Sequence, residues 1–359
     1  MRLLIDSFLN IFTQAHPTYT AKMNKKTTVL LINLGTPQSP NVSDVRSYLK
    51  EFLNDKRVID IPWLLRKILV NLIIIPFRAK SSSKIYKKLW TPEGSPLLIY
   101  GENVKAMLQA ELGDEYKVEL AMRYKEPSLP SVLNKIKNEM PERLVIFPMY
   151  PQYASSSTGS TIERVMELMK PWEVIPEVNI INQFFEDPDY IKIIANNALK
   201  HDLATFDHFV FSFHGLPIRQ INKVHPGRNC KTCNCDKTFN RETDYYCYKA
   251  TCYENARLIA NELNIPQNKY TVAFQSRLDK DWLEPFADKL MVKLAQEGKK
   301  NIMVFSPAFV ADCLETTIEI GGEFTELFTE NGGEKLVLVE SLNDHPDWIK
   351  TIKKLILNQ

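Results

Sequence analysis

The sequence lacks an imbalance of charge. Its 359 residues include 45 Lys and Arg against 43 Asp and Glu, which leaves a net charge of only +2 at pH 7. A chain so nearly neutral carries no electrostatic sign of binding to nucleic acid or to another anionic polymer. Its partners must therefore be inferred from local groups of residues, and we expect no nucleic acid among them.

Long hydrophobic runs are also absent. The most apolar stretch, residues 58–77, is interrupted by charged residues and prolines, namely Asp60, Pro62, Arg66, Lys67 and Pro76. It therefore falls short of the ~18 uninterrupted apolar residues that a membrane-spanning helix needs. We expect no segment of the chain to cross a membrane.

We also expect no secretory signal. The apolar residues 3–12 contain Asp6 and Asn10, and no clear small-residue cleavage site follows them. The first strong strand pattern begins at Thr27, so we interpret residues 1–26 as an N-terminal extension outside the fold. The expected location of the protein is the cytoplasm.

Cysteine is scarce outside one segment. Five of the six cysteines lie between residues 230 and 252, in the spacing Cys-x2-Cys-x-Cys-x11-Cys-x4-Cys, and Cys313 lies elsewhere. Six cysteines in a secreted chain would suggest disulfides. Their crowding here favours instead a metal site in a reducing compartment.

Two series of similar segments run through the chain in the same order. Each series contains three apolar, strand-like segments: residues 27–34, 117–122 and 144–147 in the first, and 209–213, 270–276 and 302–306 in the second. Strands that alternate with helical patterns predict parallel sheets with helices on both faces. We therefore expect an α/β protein of two similar halves, joined by loops of unequal length.

The length of the chain agrees with two domains, because 359 residues are many for one hydrophobic core. We place the first domain at residues 27–190, including the apolar segment 58–80. The second domain takes residues 191–340 with a cysteine-rich insert at 225–252, and a C-terminal helix takes residues 341–359.

Residues directly after the strands are the candidate functional residues, because ligands of open α/β sheets bind beyond the carboxyl ends of the strands. His214 ends an apolar strand, where a neutral imidazole can accept a proton or bind a metal. A histidine that only caps the strand is the alternative interpretation.

Three carboxylates follow the last apolar strand end. Asp312, Glu315 and Glu319 are spaced by three and four residues, so a helix there would place them on one face. A solvated acidic face is the alternative. The row begins at a strand end, however, and this position places its first turn at the expected cleft between the halves.

The chain resembles ferrochelatases from about Thr27 to its C-terminus. The resemblance rests on five segments in the family's order: LINLGTP at 31–37, YPQYASSSTGST at 150–161, FHGLP at 213–217, FQSR at 274–277 and PAFVADCLET at 307–316. It implies two flavodoxin-like or Rossmann-like domains around a porphyrin cleft. It also implies a lyase of haem biosynthesis that inserts Fe²⁺ into protoporphyrin IX and releases two protons to form protohaem.

The resemblance also implies roles for single residues. His214 and Glu315 match the family's catalytic histidine and glutamate, and both would contact the substrate iron. Asp312 and Glu319 would extend a path for the ion or for the released protons. The positions that match the porphyrin pocket are Leu34, Arg123, Tyr124, Tyr153 and Phe309. Cys313 is expected to be a small buried thiol.

The cysteine-rich insert resembles the internal segment with which some bacterial ferrochelatases hold a [2Fe-2S] cluster through four thiolates. The implied ligands are Cys230, Cys233, Cys235 and Cys247. Cys252 is the alternative ligand, since its position often carries cysteine in members without a cluster. Zinc on the same thiolates is the rival metal, and an insert without metal is the third possibility.

The apolar residues 63–77 correspond to the lip at the mouth of the family's cleft. Basic residues flank them, namely Arg66, Lys67, Arg78 and Lys80. This combination implies peripheral binding to an anionic membrane surface. An ordinary core helix is the alternative.

Other functions stay open at this point. Coproporphyrin is the alternative ring, although residues 33–37 look more like the protoporphyrin type. A chelatase that inserts cobalt or nickel into another tetrapyrrole would share the fold. A non-catalytic haem or iron-sulfur sensor is a further alternative, but it would need neither His214 nor Glu315.

Overall fold

The computed structural model describes residues 27–225, 227 and 229–359, so the expected extension at 1–26 lies outside the described residues. Within them, eight strands form two parallel sheets of four strands each. The first sheet contains β1 (Thr27–Gly35), β2 (Tyr116–Tyr124), β3 (Arg143–Pro148) and β4 (Glu177–Ile180) in the order β2-β1-β3-β4. The second contains β5 (His208–His214), β6 (Tyr270–Gln275), β7 (Asn301–Phe305) and β8 (Lys335–Leu338) in the order β6-β5-β7-β8. The same order in both sheets confirms the predicted pair of similar α/β halves.

The α-helices of the described residues are α1 (Val42–Leu53), α2 (Trp63–Ile68), α3 (Ile75–Leu89), α4 (Pro96–Leu112), α5 (Leu129–Glu139), α6 (Ser160–Met169), α7 (Pro188–Ala198), α8 (Ile218–Asn222), α9 (Arg241–Asp244), α10 (Tyr248–Glu262), α11 (Ala287–Gln296), α12 (Thr325–Glu330) and α13 (Pro346–Leu357). Three π-helical segments accompany them: π1 (Leu69–Ile74), π2 (Ser155–Gly159) and π3 (Leu314–Phe324). π2 follows β3 and π3 follows β7, so these two occupy equivalent places in the two halves.

Local sequence fixes where several helices begin. Asp187 precedes α7, and its carboxylate accepts hydrogen bonds from the backbone N–H groups of Asp189 and Tyr190. Pro188 then takes the first helical position, where its missing N–H costs no hydrogen bond. His345 caps α13 in the same way by accepting from the backbone N–H of Asp347.

The sheets are buried on both faces, as parallel sheets between helices must be. In β1, Val29 and Leu31 face one hydrophobic core, whereas Leu30 and Ile32 face another. Helices α5 and α6 cover the outer face of the first sheet, and α11 and α12 cover the outer face of the second.

A central layer of helices lies between the two sheets. Side chains from α4, α7, α10 and α13 form one continuous hydrophobic cluster with the inner faces of both sheets. This differs from the two separate cores that chain length predicts, since the halves share the helices that bury their facing surfaces.

The carboxyl ends of both sheets meet at a smaller cluster. Helices α1 and α3 pack there around Tyr124, and Leu34 packs beside them. Leu314 and Ile318 of π3 join this cluster from the second half. The residues that follow the strands of the two halves are thus brought to one region.

Candidate active site

His214 is the last residue of β5 and is half-buried. Its Nδ1 lies 2.7 Å from the backbone oxygen of Gly215. A carbonyl oxygen can only accept a hydrogen bond, so Nδ1 carries the proton and Nε2 of the neutral ring keeps its lone pair. The ring can therefore accept a proton or bind a metal through Nε2.

The peptide group after His214 is held on both sides. The hydroxyl of Tyr248 donates to the backbone oxygen of His214 at 3.0 Å, and the N–H of Gly215 donates to the backbone oxygen of Gln275 at 2.7 Å. A Cβ at Gly215 would lie 2.8 Å from that Gln275 oxygen, so glycine is needed for this close approach.

Glu319 of π3 lies against the end of β6. One of its carboxylate oxygens accepts from the backbone N–H of Ser276 at 2.9 Å. The other accepts from the Ser276 hydroxyl at 2.5 Å and from Nε2 of Gln275 at 2.9 Å. Burial raises the pKa of Glu319, the charge of Glu315 raises it further, and the two hydrogen-bonding partners and His214 act against this rise. Glu319 therefore holds a proton more readily than an ordinary carboxylate and lies within electrostatic reach of both predicted catalytic residues.

The row of carboxylates is shorter than the spacing predicted. The helical segment begins at Leu314, because the Thr316 side chain accepts from the N–H of Cys313 and closes a capping arrangement there. Asp312 precedes the helix, and its carboxylate accepts from the side-chain amide of Asn343 at 3.0 Å. Asp312 therefore does not share a helical face with Glu315 and Glu319.

Gln275 joins the two parts of the site. It is 1% exposed, and its Oε1 accepts from the Ser212 hydroxyl in β5 at 2.6 Å. Its Nε2 donates to the backbone oxygen of Glu315 at 2.9 Å as well as to Glu319. One buried amide thus connects the strand of His214 with the helical segment of both glutamates.

Arg123 and Tyr124 are the last two residues of β2 and meet at Asp55. Arg123 donates from Nη2 to Asp55 at 2.6 Å and from Nε to the Ser160 hydroxyl at 2.8 Å. The hydroxyls of Tyr124 and Ser160 donate to the same Asp55 oxygen at 2.9 and 2.5 Å. Burial alone would raise the pKa of Asp55, but the hydrogen bonds from Ser160 and the Arg57 backbone, with the charge of Arg123, lower it.

This network buries Tyr124. Only 1% of its surface is exposed, because its hydroxyl donates to Asp55 and its ring packs against Phe52. Tyr124 therefore supports Arg123 through Asp55, and its contact with a porphyrin stays a prediction.

The cysteines of the insert lie close together. The sulfurs of Cys233 and Cys235 are 3.2 Å apart, and the Cys233 thiol donates to the backbone oxygen of Cys230 at 3.1 Å. Burial raises the pKa of Cys230 to about 12. Cys252 is fully buried on α10.

The donor chemistry of these thiols fits a four-thiolate centre. The described residues nevertheless contain no group of three or more ligating side chains arranged to hold a metal ion. A positive charge stands beside the sulfurs, since Nζ of Lys249 donates to the backbone oxygen of Cys230 at 3.2 Å and lies 3.9 Å from the Cys233 sulfur.

The predicted lip forms the continuous run α2, π1 and α3. Its exposed apolar side chains are Trp63, Leu64, Leu65, Ile68, Leu72, Ile73 and Phe77. The expectation that Arg66 contributes to a basic surface beside the lip is wrong. Arg66 is only 8% exposed, and its guanidinium donates to the backbone oxygens of Ile59 and Ile61. None of the described helices is long and apolar enough to span a membrane.

The base of the lip is attached to the second half. Asp60 accepts from Arg219 at 2.8 Å and from Lys223 at 2.7 Å, beside α8. Nε2 of Gln220 donates to the backbone oxygens of Arg57 and Val58. The lip is therefore connected to the segment that directly follows His214.

Comparison with known proteins gives the family. The ferrochelatase family model matches residues 26–359. A ferrochelatase of Coxiella burnetii (strain Dugway 5J108-111) is 43% identical over 341 residues, which cover 93% of this chain and 94% of the relative. A ferrochelatase of Legionella pneumophila (strain Lens) is 42% identical over 332 residues, or 92% of this chain and 98% of the relative. The chain belongs to the ferrochelatase family.

Fold comparison agrees with this membership. The solved structure of SirB from Bacillus subtilis with Fe³⁺ superposes with a TM-score of 0.50 at 11% identity, and covers 93% of this chain and 96% of that chain. At such low identity the likeness concerns the fold alone. Membership in the ferrochelatase family confirms the predicted activity, a lyase reaction that inserts iron into a porphyrin to form haem.

The remaining predicted pocket residues of this ferrochelatase lie at strand ends. Leu34 is the penultimate residue of β1 and packs in the cluster that contains Leu314. Tyr153 and Phe309 follow the equivalent strands β3 and β7, and both are half-buried. The ring of Tyr153 meets that of Tyr246 edge to face, with centroids 5.3 Å apart.

A cavity of about 600 Å³ lies elsewhere in the second half, beside His208 and α11. His208 begins β5 and His214 ends it. Since each strand residue advances the chain by about 3.3 Å, the cavity lies at the opposite end of the strand from the candidate active site.

Sequence reasoning missed four residues of this ferrochelatase site: Asp55, Ser160, Gln275 and Tyr248. Ser160 and Gln275 stand inside segments that carry the family resemblance, and this could have drawn attention to them. Asp55 and Tyr248 carry no such sign, because their partners are distant in the chain.

Proposed function

We propose that this chain inserts Fe²⁺ into protoporphyrin IX, with Nε2 of His214 as the acceptor of the pyrrole protons. The observation that carries this proposal is the hydrogen bond from Nδ1 to Gly215, which leaves Nε2 free at the strand end. Free-base porphyrin holds two N–H protons in a flat ring, so insertion needs a base and a bent macrocycle. Apolar contacts on the cleft wall offset the cost of bending.

The glutamates take the protons onward from His214. Glu315 contacts the arriving iron together with His214, and Glu319, with its raised pKa, receives a proton. Glu323 is exposed one further helical step along π3 and releases the proton to water. Asp312, held by Asn343, stands at the beginning of this segment as a carboxylate for the hydrated ion.

The first half holds the ring. Arg123 keeps 14% of its side chain exposed while Asp55 fixes its direction, so its guanidinium presents donors to a porphyrin carboxylate. Leu34, Tyr153 and Phe309 supply apolar and aromatic surface. Tyr124 and Ser160 hold the Asp55 network in place. We also propose that residues 27–190 and 191–340 form the two domains, because each range contains one of the two four-stranded sheets.

An anaerobic assay of the purified chain with Fe²⁺ tests this function, with protoporphyrin IX and coproporphyrin III offered in parallel and haem absorbance as the readout. We expect turnover of protoporphyrin. Turnover of coproporphyrin alone would show that coproporphyrin is the substrate. Insertion of only cobalt or nickel into another tetrapyrrole would indicate a different chelatase. Haem binding without any turnover would indicate a sensor.

We also propose that the insert binds a [2Fe-2S] cluster through Cys230, Cys233, Cys235 and Cys247. Support comes from the 3.2 Å separation of the Cys233 and Cys235 sulfurs and from the positive charge of Lys249, whose Nζ lies 3.9 Å from the Cys233 sulfur. When bound, the cluster ties together a polar segment that has few apolar residues to bury. It takes no part in the insertion chemistry.

The lip is proposed to bind an anionic membrane surface on its cytoplasmic side. Leu72 and Phe77 are 69% and 78% exposed, which is costly in water and favourable at the boundary of a lipid bilayer. Arg78 and Lys80 are exposed beside them and supply the positive charge.

A further inference from the structure

We propose that Tyr248 is a positioning residue for His214 and that it connects the cysteine-rich insert to the catalytic centre. The inference rests on the proposed function of His214 as the proton acceptor. Tyr248 begins α10, directly after Cys247, and is 6% exposed. Its hydroxyl reaches out of the insert to the backbone oxygen of His214 at 3.0 Å.

The contact fixes the plane of one peptide group. The carbonyl of His214 is held by Tyr248, and the N–H of the same peptide group is held by the Gln275 backbone. With both ends bonded, this plane cannot rotate unless a buried hydrogen bond breaks.

The plane in turn sets the direction of the imidazole. Nδ1 of His214 donates to the backbone oxygen of Gly215, the next carbonyl along the chain. Rotation of the peptide group would move Gly215 and lengthen this bond. Without this hydrogen bond, the imidazole of His214 loses its preference for the tautomer in which Nε2 is free. Tyr248 thus acts on Nε2 without touching the substrate.

The position of Tyr248 depends on the cysteine that precedes it. The backbone N–H of Cys247 donates to the backbone oxygen of Asp244 at 2.8 Å, and the carbonyl of Cys247 accepts from the backbone N–H of Thr251 at 2.9 Å, so Cys247 is the N-cap of α10. Cys252 lies fully buried one helical turn further on. A displacement of Cys247 therefore moves the start of the helix that carries Tyr248.

The insert also contacts the other side of the catalytic segment. The backbone N–H of Cys230 donates to the side-chain oxygen of Asn222, the last residue of α8, at 2.8 Å. The segment from His214 to Asn222 is thus bonded to the insert at both of its ends. This arrangement gives the insert a means of setting the geometry of the site.

The test compares Tyr248→Phe with Tyr253→Phe in the full chain. Phenylalanine fills the same space in both variants, but Tyr253→Phe removes a hydroxyl from the same helix without touching His214. We expect Tyr248→Phe to lower kcat about tenfold with KM for porphyrin within about twofold, and Tyr253→Phe to leave both unchanged. An unchanged kcat in Tyr248→Phe would overturn the inference.

The tautomer of His214 distinguishes the two possible roles of Tyr248. It should change if Tyr248 positions the imidazole and should not change if Tyr248 only stabilises the fold. The chain has six histidines, so ¹⁵N-labelled histidine gives few signals, and the signal lost in His214→Gln identifies the residue. We expect the Nδ1–H form in the parent and in Tyr253→Phe, and a mixture of tautomers in Tyr248→Phe. The Nδ1–H form alone in Tyr248→Phe would contradict the inference.

A measurement on the parent protein avoids any failure of the variant to fold. Alkylation of the insert thiols with N-ethylmaleimide in cluster-free protein, verified by mass spectrometry, should speed amide hydrogen exchange in peptides that contain residues 214–217. Unchanged exchange in the alkylated protein would count against the connection. The proposed function of His214 has a separate test. It would be wrong if His214→Ala kept its insertion activity, whatever the activity of Tyr248→Phe.

Discussion

His214 shows how a strand end prepares a side chain for chemistry. The bond from Nδ1 to the Gly215 backbone leaves one nitrogen of the neutral ring free. His214→Ala should lower kcat/KM for iron insertion by more than about tenfold, or ~1.4 kcal/mol of transition-state stabilisation, since the variant would lack the Nε2 that accepts the pyrrole protons. The assay is haem formation, with circular dichroism to verify folding.

His201→Ala is the matched control, because His201 lies just after α7, with its backbone N–H donating to Ala198, on the side of β5 away from His214. It should keep the activity of the parent. If His214→Ala retained more than about a tenth of the turnover, proton acceptance by this residue would be wrong.

Asp55 is held as a charged group by its partners. Its pKa is lowered, so its contribution to stability is complete above the unfolded value of about 3.9 and disappears as the pH falls through the folded value. Asp55→Asn should cost about 2 to 4 kcal/mol of unfolding free energy at pH 7, because Arg123 would lose its counter-ion.

Urea titrations at pH 7, 5 and 3.5 would measure this difference, with the exposed Asp114→Asn as control. The gap between the parent and Asp55→Asn should persist at pH 5 and narrow at pH 3.5. A gap that widened as the pH fell would show that the sign of the linkage is wrong.

Single residues of the candidate site differ in how well the sequence predicts them. His214 and Glu315 stand in short segments next to recognisable strands, so both could be predicted as site residues. Asp55 could not, because its partners Arg123 and Ser160 are 68 and 105 positions away. Only the folded chain brings these groups together.

Among the elements, the insert offers a direct test of cluster binding. Cys230→Ser and Cys247→Ser should lose visible charge-transfer bands and give less soluble protein, because each would remove one of four thiolate ligands. Absorption spectra and acid-labile sulfide of anaerobically purified protein measure this. Cys313→Ser, which removes a thiol far from the insert in sequence, should keep the bands.

Cys252→Ser tests the choice of ligands. Loss of the bands in Cys252→Ser, with retention in Cys235→Ser, would show that Cys252 is the ligand instead. A colourless parent protein that contains one zinc ion and no acid-labile sulfide would show that the insert binds zinc instead of a cluster. The assignment of the insertion activity would not change.

The lip is the second element with a separate test. Replacement of Leu64, Leu72 and Phe77 by serine should weaken sedimentation with vesicles that contain anionic phospholipid, because the three exposed side chains would no longer enter the bilayer boundary. The control replaces Val174, Leu199 and Leu278, which are also well exposed but lie outside the lip. Equal sedimentation of both triple variants would contradict membrane binding by the lip.

The elements could be predicted only in part. The carboxylate spacing predicts a helix after β7, and π3 is there, but its start at Leu314 depends on the Thr316 cap. The exclusion of Asp312 depends further on Asn343, a residue of the far C-terminal region. Periodicity within one segment contains no information about such a partner.

For the whole molecule, the shared layer of central helices makes stability a joint property of both halves. Trp348 of α13 is fully buried in the cluster that contacts both sheets. Trp348→Ala should cost about 3 to 5 kcal/mol and should leave a single unfolding transition at a lower temperature. Scanning calorimetry measures this, and two separate transitions in the parent would mean that the halves unfold independently.

The duplication itself was predictable because strand-like segments recur in the same order, and the identical strand orders agree with that reading. The common core was not predictable, because α4 and α13 are 234 positions apart at their closest ends in the sequence and yet pack together. Sequence similarity between halves indicates a repeated unit and does not show which surfaces the copies share.

π2 and π3 occupy equivalent places, yet their chemistry has diverged. π2 consists of small neutral residues, SSSTG, whereas π3 carries Glu315 and Glu319. On the proposed mechanism, a ring between the halves would meet a neutral wall on one side and an acidic wall on the other. The two faces of a flat porphyrin would thereby become inequivalent. Metal and protons would be exchanged through the face that meets π3, while the wall formed by π2 would support the opposite face as the ring bends.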